Sequence, residues 1–148
     1  MVTFETRSYL SNGVAQFIKI TDDVETVVEH SSVSNGLVAV ISAHTTCGII
    51  VNEGLPCVEQ DLGDMLEDMV PLDASYAHAH FLRTYGATGN NSQGHLKQTL
   101  VGNNALFPVI DGHVVRGGAQ DIYLAEFDGP QRRKVYIEVI GDKGGVEK

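Results

Sequence analysis

Hydrophobic and polar residues alternate along much of this chain, and a period of two is typical of β-strands with one buried face. The strands predicted in this way are residues 2–9, 16–20, 37–43, 48–52, 105–110, 113–115, 120–127 and 133–140. Residues 37–43 differ because they are almost continuously apolar, which is typical of a central strand.

Turn motifs predict which neighbouring strands pair. Asn12-Gly13 is expected to join the first two strands as a hairpin, and Asp111-Gly112 to join the fifth and sixth. Residues 128–131 contain Gly and Pro and are expected to join the last two strands in the same way. The sequence therefore predicts three antiparallel hairpins.

Three segments instead follow the helical period. The first begins at Thr21 as its N-cap and ends at Asn35. The second spans residues 55–69 and the third residues 92–101, with Ser92 as its N-cap. The buried face of the second helix is predicted to be Val58, Leu62, Met65, Leu66 and Met69. Strand-rich ends with helices between them indicate an α+β fold and not a βαβ array.

Composition narrows the class of protein. A chain of 148 residues suits one domain, residues 1–148, with residues 141–148 expected to be a frayed tail. The net charge of −9 argues against binding to nucleic acid or to an anionic membrane. No apolar run approaches the roughly 20 residues that span a bilayer, and the first ten residues lack a signal-peptide core. The expected compartment is the cytoplasm.

His44 directly follows the predicted central strand, where a rigid scaffold can hold an imidazole as a base, an acid or a metal ligand. The alternative is a structural histidine of the core. Asn52 and Glu53 close the next strand and would orient His44 if the two strands pair, or else they cap the following helix. Cys47 is either a nucleophile beside His44 or a small buried thiol, and the buried thiol is commoner.

Two further groups have metal-ligand chemistry. Asp61, Asp64 and Asp68 share one face of the second helix and would suit a divalent cation, but such a face is more often solvated. Asp61 is the candidate exception. His78 and His80 form an HxH in the long polar segment of residues 72–91, which suits joint metal ligation or is simply an exposed pair.

The start of the third helix is a candidate anion site. Free backbone N–H groups and the positive end of the helix dipole favour phosphate there. Ser92 and Gly94 would let a phosphate approach the backbone, with Asn91 as a donor from the preceding loop. His95 and Lys97 add polar and cationic groups. The alternative is an ordinary capped surface helix.

Glu126 falls within an apolar strand, and a buried carboxylate needs a partner. Arg133, on the strand predicted to adjoin it, is the natural partner. This arrangement predicts a buried ion pair or a subunit contact.

Together these motifs form a recognisable set, and the chain resembles the YjbQ-like family. The motifs that carry the resemblance are His44-Thr-Thr-Cys-Gly-Ile-Ile-Val-Asn52-Glu53, Asp61, Tyr76-Ala-His78, Gly94-His95-Leu-Lys97, Leu100-Val-Gly102, Phe107-Pro108, Asp111-Gly112, Gln120-Asp-Ile122, Glu126-Phe-Asp128-Gly-Pro130 and Arg133. Two departures stand out: Cys47 replaces a small Ser or Ala, and Gly118-Ala119-Gln120 replaces Thr-Trp-Gln in a chain without tryptophan.

The resemblance implies a distorted antiparallel β-sandwich with two to three helices, assembled as a homotrimer. It implies a polar site near a subunit boundary with His44, His78 and His95 as its core and as ligands of a divalent metal, zinc or magnesium. The supporting or catalytic residues that it implies are Asn52, Glu53, Asp61, Lys97, Gln120 and Arg133, and the expected ligand is a small phosphate-bearing anion.

Three functions remain open at this point. The family has been linked to a secondary thiamine-phosphate synthase activity, which condenses hydroxymethylpyrimidine pyrophosphate with thiazole phosphate. The second function is hydrolysis by a histidine-based metal site, because three neutral histidines favour zinc, nickel or iron. The third is a non-enzymatic trimer that binds a small anion or a metal.

Overall fold

The computed structural model describes residues 1–79 and 90–144, which form two antiparallel sheets and three α-helices. In chain order the elements are β1 (Val2–Leu10), β2 (Gln16–Lys19), α1 (Thr21–His30), β3 (Asn35–Ser42), β4 (Cys47–Glu53), α2 (Pro56–Met69), a 3₁₀ turn (Ala77–Ala79), α3 (Ser92–Val101), β5 (Asn104–Ile110), β6 (His113–Val114), β7 (Gln120–Glu126) and β8 (Arg132–Asp142).

The two sheets form the predicted distorted antiparallel β-sandwich. One sheet has the strand order β1-β8-β3-β5-β6, and the other has the order β2-β7-β4. Between them lies a core that takes Val38 and Ile137 from the larger sheet, Ile49 and Leu124 from the smaller one, and Val24 from α1. Burial of these aliphatic side chains is the main stabilising contribution to such a fold. The α+β class is therefore confirmed.

Two of the three predicted hairpins are wrong, because consecutive strands separate into different sheets. β1 pairs with β8 while β2 pairs with β7, so Asn12-Gly13 connects the two layers. Residues 128–131 likewise carry the chain from β7 to β8 across the sandwich. The physical reason lies in β7, which pairs with β2 along one edge and with β4 along the other, so neither edge is free to pair with β8. The β5–β6 hairpin is confirmed, with Asp111 and Gly112 at positive φ.

Several predicted boundaries also change. Thr21 is the first residue of α1, and its hydroxyl donates to Asp121 at 2.7 Å instead of capping the helix. Asn35 belongs to β3 and does not end α1, which stops at His30. Gly141 lies in β8, and a Cβ at Gly36 on the adjacent strand would clash with the backbone there. The predicted frayed tail is therefore wrong for residues 141 and 142, and residues 145–148 of that prediction lie outside the described residues.

The two helices of the small-sheet side pack less deeply than the sequence predicts. α2 buries Leu66, but Met65 and Met69 are 48% and 58% exposed. α3 spans the predicted residues, although Ser92 is its first helical residue and makes no capping hydrogen bond. These helices flank the end of the sandwich that carries the histidine motifs.

Candidate functional site

His44 follows the end of β3 and is held by the backbone of β8. Its Nε2 accepts a hydrogen bond from the Lys134 backbone N–H at 2.8 Å, so the proton of the neutral ring is on Nδ1. Partial burial lowers the pKa of His44, and the nearby positive charge of Arg133 lowers it further. The imidazole is therefore neutral near pH 7, with Nε2 already occupied.

The predicted Glu126–Arg133 ion pair is confirmed, and it crosses from one sheet to the other. Arg133 Nε donates to Glu126 Oε1 at 2.8 Å, and Nη2 donates to Oε2 at 2.6 Å. The Ser11 hydroxyl donates to Oε1 at 2.6 Å, while Arg133 Nη2 also reaches Thr46 Oγ1 at 2.7 Å. Both charged side chains are buried, so Arg133 faces the core and not a ligand.

Opposing effects act on this carboxylate. Burial alone would raise the pKa of Glu126, but hydrogen bonds from Arg133, Ser11 and the Asp128 backbone outweigh it and hold the pKa below its usual value. Glu126 is therefore ionised at neutral pH and balances the charge of Arg133.

The first turn of α3 packs against the loop that follows β7. Gln93 donates through Nε2 to the Phe127 carbonyl at 2.6 Å, and Asn91 donates through Nδ2 to Asp128 at 2.8 Å. A Cβ at Gly94 would lie 3.2 Å from the Phe127 carbonyl and 3.3 Å from the Cβ atom of Thr46. The space beside Gly94 is therefore filled by Phe127 and Thr46. The prediction that Gly94 lets a phosphate approach the backbone is wrong.

His78 and His95 are brought together at this helix start. Their ring centroids lie 5.1 Å apart with the ring planes at 82°, and both side chains are half-buried. Within residues 1–79 and 90–144, no three His, Cys, Asp or Glu side chains lie close enough to hold a metal ion together. His44 is therefore not grouped with this pair as a third ligand, and His80 lies outside the described residues.

Lys97 is turned away from the predicted anion site. Its Nζ lies 2.6 Å from Glu67 Oε2 on α2, and the residue is 5% exposed. Lys97 and His95 are two positions apart, about 200° around a helix, so the two side chains project from opposite faces. A backbone hydrogen bond from Leu72 and the bond from Lys97 lower the pKa of Glu67. Lys97 therefore fastens α3 to α2.

Asn52, Glu53 and Gln120 lie at the opposite end of the small sheet. Glu53 pairs with Gln120 where Cys47 pairs with Glu126, and six residues of strand separate the two positions by about 20 Å. The prediction that Asn52 and Glu53 approach His44 is wrong for a single chain. β4 starts near His44 and runs away from it, and β3 and β4 belong to different sheets.

The remaining predicted groups have simple surroundings. Asp61, Asp64 and Asp68 are all exposed, in agreement with the solvated interpretation of that helix face. Cys47 is buried with its sulfur 3.2 Å from Ser42 Oγ, and burial raises the pKa of its thiol. This is the environment of a small core residue and not of a nucleophile.

Sequence reasoning missed three partners in this region, namely Ser11, Thr46 and Glu67. Thr46 could have been identified from the sequence, because it belongs to the motif that begins with His44. Ser11 and Glu67 are ordinary surface residue types whose roles depend on contacts 115 and 30 positions away. No local pattern marks such contacts.

A concave region lies at the other end of the sandwich. It is an open cleft of about 250 Å³ lined by Lys19, Thr21, Asp22 and Asp23, far along the sheet from the histidines. Asp121 lies 3.9 Å from Lys19 Nζ and offsets the positive charge of that lysine. Among the helices of residues 1–79 and 90–144, none is both long and apolar enough to cross a membrane.

Comparison with known proteins places this arrangement in a family. The family model described as UPF0047 protein YjbQ-like matches residues 6–142. A UPF0047 protein of Methanothermobacter thermautotrophicus is 39% identical over 85% of this chain and 83% of its own length. The UPF0047 protein YugU of Bacillus subtilis is 31% identical over 85% of this chain and 90% of its own length.

Solved structures agree with the sequence matches. A YbjQ-like protein of unknown function from Sulfolobus solfataricus superposes with a TM-score of 0.89 at 30% identity, over 96% of this chain and 99% of that one. A YjbQ/UPF0047 protein from Clostridium acetobutylicum gives 0.83 at 34% identity, over 92% and 99%. The chain therefore belongs to the UPF0047 family of YjbQ-like proteins.

Proposed function

We propose that the chain binds a small phosphate-bearing anion at the first turn of α3 and acts as a secondary thiamine-phosphate synthase. The observation that carries this proposal is the contact of His78 with His95, 5.1 Å between ring centroids, at the start of that helix. Two imidazoles beside the positive end of a helix dipole offer hydrogen bonds and partial positive charge to one anion.

The proposed reaction needs hydrogen-bond donors of this kind. The bond between the pyrimidine methylene carbon and the pyrophosphate oxygen breaks, the pyrophosphate leaves with the electron pair, and the thiazole nitrogen forms the new bond to that carbon. Stabilising the leaving-group charge matters more in such a step than a strong base does. Lys97 and Arg133 are neutralised by Glu67 and Glu126, so His78, His95 and backbone N–H groups are the donors proposed for the pyrophosphate.

A divalent metal stays a prediction of the sequence. Two imidazoles suit zinc, whereas magnesium prefers oxygen ligands. The described residues supply His78 and His95 but no third ligand beside them, so the described part of the chain does not by itself form a complete metal site. No step of the proposed reaction is assigned to a metal.

The experiment that tests the site is His95→Ala, with inorganic pyrophosphate as the probe in a calorimetric titration. We expect binding to fall at least tenfold and synthase turnover to be lost, because the ring that contacts His78 is removed. His113→Ala is the matched control, since His113 is an exposed histidine on β6. Pyrophosphate binding of wild-type strength by a folded His95→Ala protein would show that the site is wrong.

The histidine pair also favours a second candidate, a zinc-dependent hydrolase or a zinc-binding protein without activity. Metal analysis after purification without added ions separates the two candidates. Stoichiometric zinc that disappears in both His78→Ala and His95→Ala would favour the second candidate. Metal-free protein that forms thiamine phosphate from the two substrates would favour the first.

We propose further that the chain assembles as a homotrimer and works in the cytoplasm. Support for assembly comes from the exposed apolar side chains of both the larger sheet and the α2–α3 side. Light scattering on the purified protein is expected to give three times the chain mass of 16.0 kDa.

A further inference from the structure

The chain contains two Asn-Gly pairs, Asn12-Gly13 and Asn35-Gly36, and the structure places them in very different surroundings. Asparagine is a chemically labile residue in proteins. It is most labile before glycine, because glycine has no side chain to hinder attack of its backbone nitrogen on the neighbouring carboxamide. The reaction also requires that nitrogen to be free and the backbone to be able to turn.

Asn12-Gly13 meets both requirements. Asn12 is exposed, and Gly13 begins a bend that belongs to no strand or helix. In the part of the chain that the structure describes, neither the Asn12 carboxamide nor the Gly13 backbone N–H has a hydrogen-bond partner. A Cβ at Gly13 would meet only the Ala15 carbonyl, at 3.6 Å, apart from its chain neighbours. The two reacting groups are therefore free and uncrowded.

Asn35-Gly36 meets neither requirement. It lies in β3, where Gly36 pairs with Gly141 of β8 on one side and with Val109 of β5 on the other. Ring closure at Asn35 would force this backbone out of its extended conformation and disrupt the ladders on both sides. The same dipeptide is therefore protected by the larger sheet, and it serves as an internal control.

We propose that Asn12 is a modification site that deamidates spontaneously, with water as the co-reactant, and that Asn35 is not. The Gly13 nitrogen forms a bond to Cγ of Asn12, the bond from Cγ to the amide nitrogen breaks, and ammonia leaves with the proton of the Gly13 N–H. Water then opens the resulting succinimide ring at either of its carbonyls. Opening at the side-chain carbonyl gives aspartate, and opening at the backbone carbonyl gives isoaspartate, which has one more methylene in the backbone.

The modification acts on the buried ion pair, because the backbone is anchored on both sides of Asn12. Before it, the Ser11 hydroxyl donates to Glu126 Oε1 at 2.6 Å. After it, the Val14 carbonyl accepts a hydrogen bond from the Gly129 backbone N–H at 3.1 Å. An extra methylene between these two anchors forces at least one of them to shift. Isoaspartate is therefore expected to destabilise the contact between the sheets, whereas aspartate leaves the length of the backbone unchanged.

Incubation of the folded wild type at mildly alkaline pH, followed by peptide mass spectrometry, tests the site. We expect the peptide with Asn12 to gain the mass difference between an amide and an acid, mostly as isoaspartate, while the peptide with Asn35 stays unchanged. Protein digested without incubation gives the baseline. Gly13→Ala is the matched control, because a Cβ fits at this position but hinders ring closure. It should slow deamidation at least tenfold, with an unchanged circular dichroism spectrum.

Urea denaturation before and after incubation tests the link to the ion pair. The midpoint of the wild type should fall as isoaspartate accumulates, whereas Gly13→Ala should keep its midpoint through the same incubation. Asn12→Asp has the added charge without the longer backbone and should unfold close to the fresh wild type. Asn12→Gln, which closes a ring far more slowly, replaces Gly13→Ala if that variant does not fold.

Two results would overturn the site at Asn12. One is deamidation at equal rates at Asn12 and Asn35 of the folded wild type. The other is a wild-type rate at Asn12 as slow as that of Gly13→Ala. An unchanged urea midpoint in protein converted to isoaspartate would overturn its effect on the contact between Ser11 and Glu126.

Discussion

Glu126 and Arg133 are buried charges whose stability depends on each other. Glu126 accepts hydrogen bonds from Arg133, from Ser11 and from two backbone N–H groups, so its two oxygens are fully used. Removing one member of such a pair leaves an uncompensated charge in the core, and that cost exceeds the value of the pair itself.

We therefore expect Arg133→Met to lower the free energy of unfolding by about 3–5 kcal/mol. The double variant Glu126→Leu with Arg133→Met should recover most of this loss, because it leaves no buried charge behind. Urea denaturation followed by circular dichroism measures both. Equal losses in the single and the double variant would contradict the account.

This pair was predictable from the sequence, whereas the partner of Lys97 was not. A carboxylate within an apolar segment such as Ile122–Phe127 is expected to be buried, and a buried carboxylate needs a cation nearby. Lys97 gave no such signal, since a lysine on a short helix is ordinarily exposed. Its burial depends on how α3 meets α2, and that geometry is set by the rest of the fold.

At the scale of elements, local sequence patterns predict the positions of the strands and helices correctly, but they do not predict which strands pair. α3 and the β5–β6 hairpin depend on residues that are adjacent in sequence, so the sequence predicts them closely. The partners of β1, β2, β7 and β8 depend on which sheet covers the core, a property of the whole chain. The Asn-Gly and Gly-Pro motifs bend the chain in either case.

The contact between α2 and α3 gives a prediction at this scale. Glu67→Gln removes the charge partner of Lys97, whose ammonium is almost fully buried, while its amide oxygen can still accept from Leu72. We expect a loss of about 1–3 kcal/mol in unfolding free energy, more than an exposed pair is worth. Asp64→Asn, on the same helix but exposed, is the control in urea denaturation. Equal stability of the two variants would argue against the role of Lys97 in fastening the helices.

For the whole molecule, the sandwich divides the residues of the family motifs between its two ends. His44, His78, His95 and Arg133 lie at one end, and Asn52, Glu53 and Gln120 lie at the other. Spacing along the chain cannot reveal this division, because β4 and β7 each run the length of the small sheet. A site that uses both sets would need residues from more than one copy of the chain.

The acid stability of the whole molecule should follow Glu126. Its pKa is lower in the folded state, so its contribution is present above the unfolded value of about 4.3 and is lost as the pH falls through the folded value. We expect the urea midpoint of the wild type to drop on acidification below about pH 4.3. Glu126→Gln should have a lower midpoint at neutral pH and a flatter dependence on pH. Parallel pH profiles for the two proteins would contradict this assignment.

The link between the two sheets also determines which chemical conditions the fold tolerates. Many small sandwiches could be joined across their layers by a disulfide, but here the cysteines are both free and the join is ionic. Reducing agents leave such an ion pair intact. The Cys47 thiol is buried and protonated, so it is poorly accessible to oxidants. The Glu126–Arg133 contact is therefore insensitive to reducing agents, and acid is the condition that weakens it.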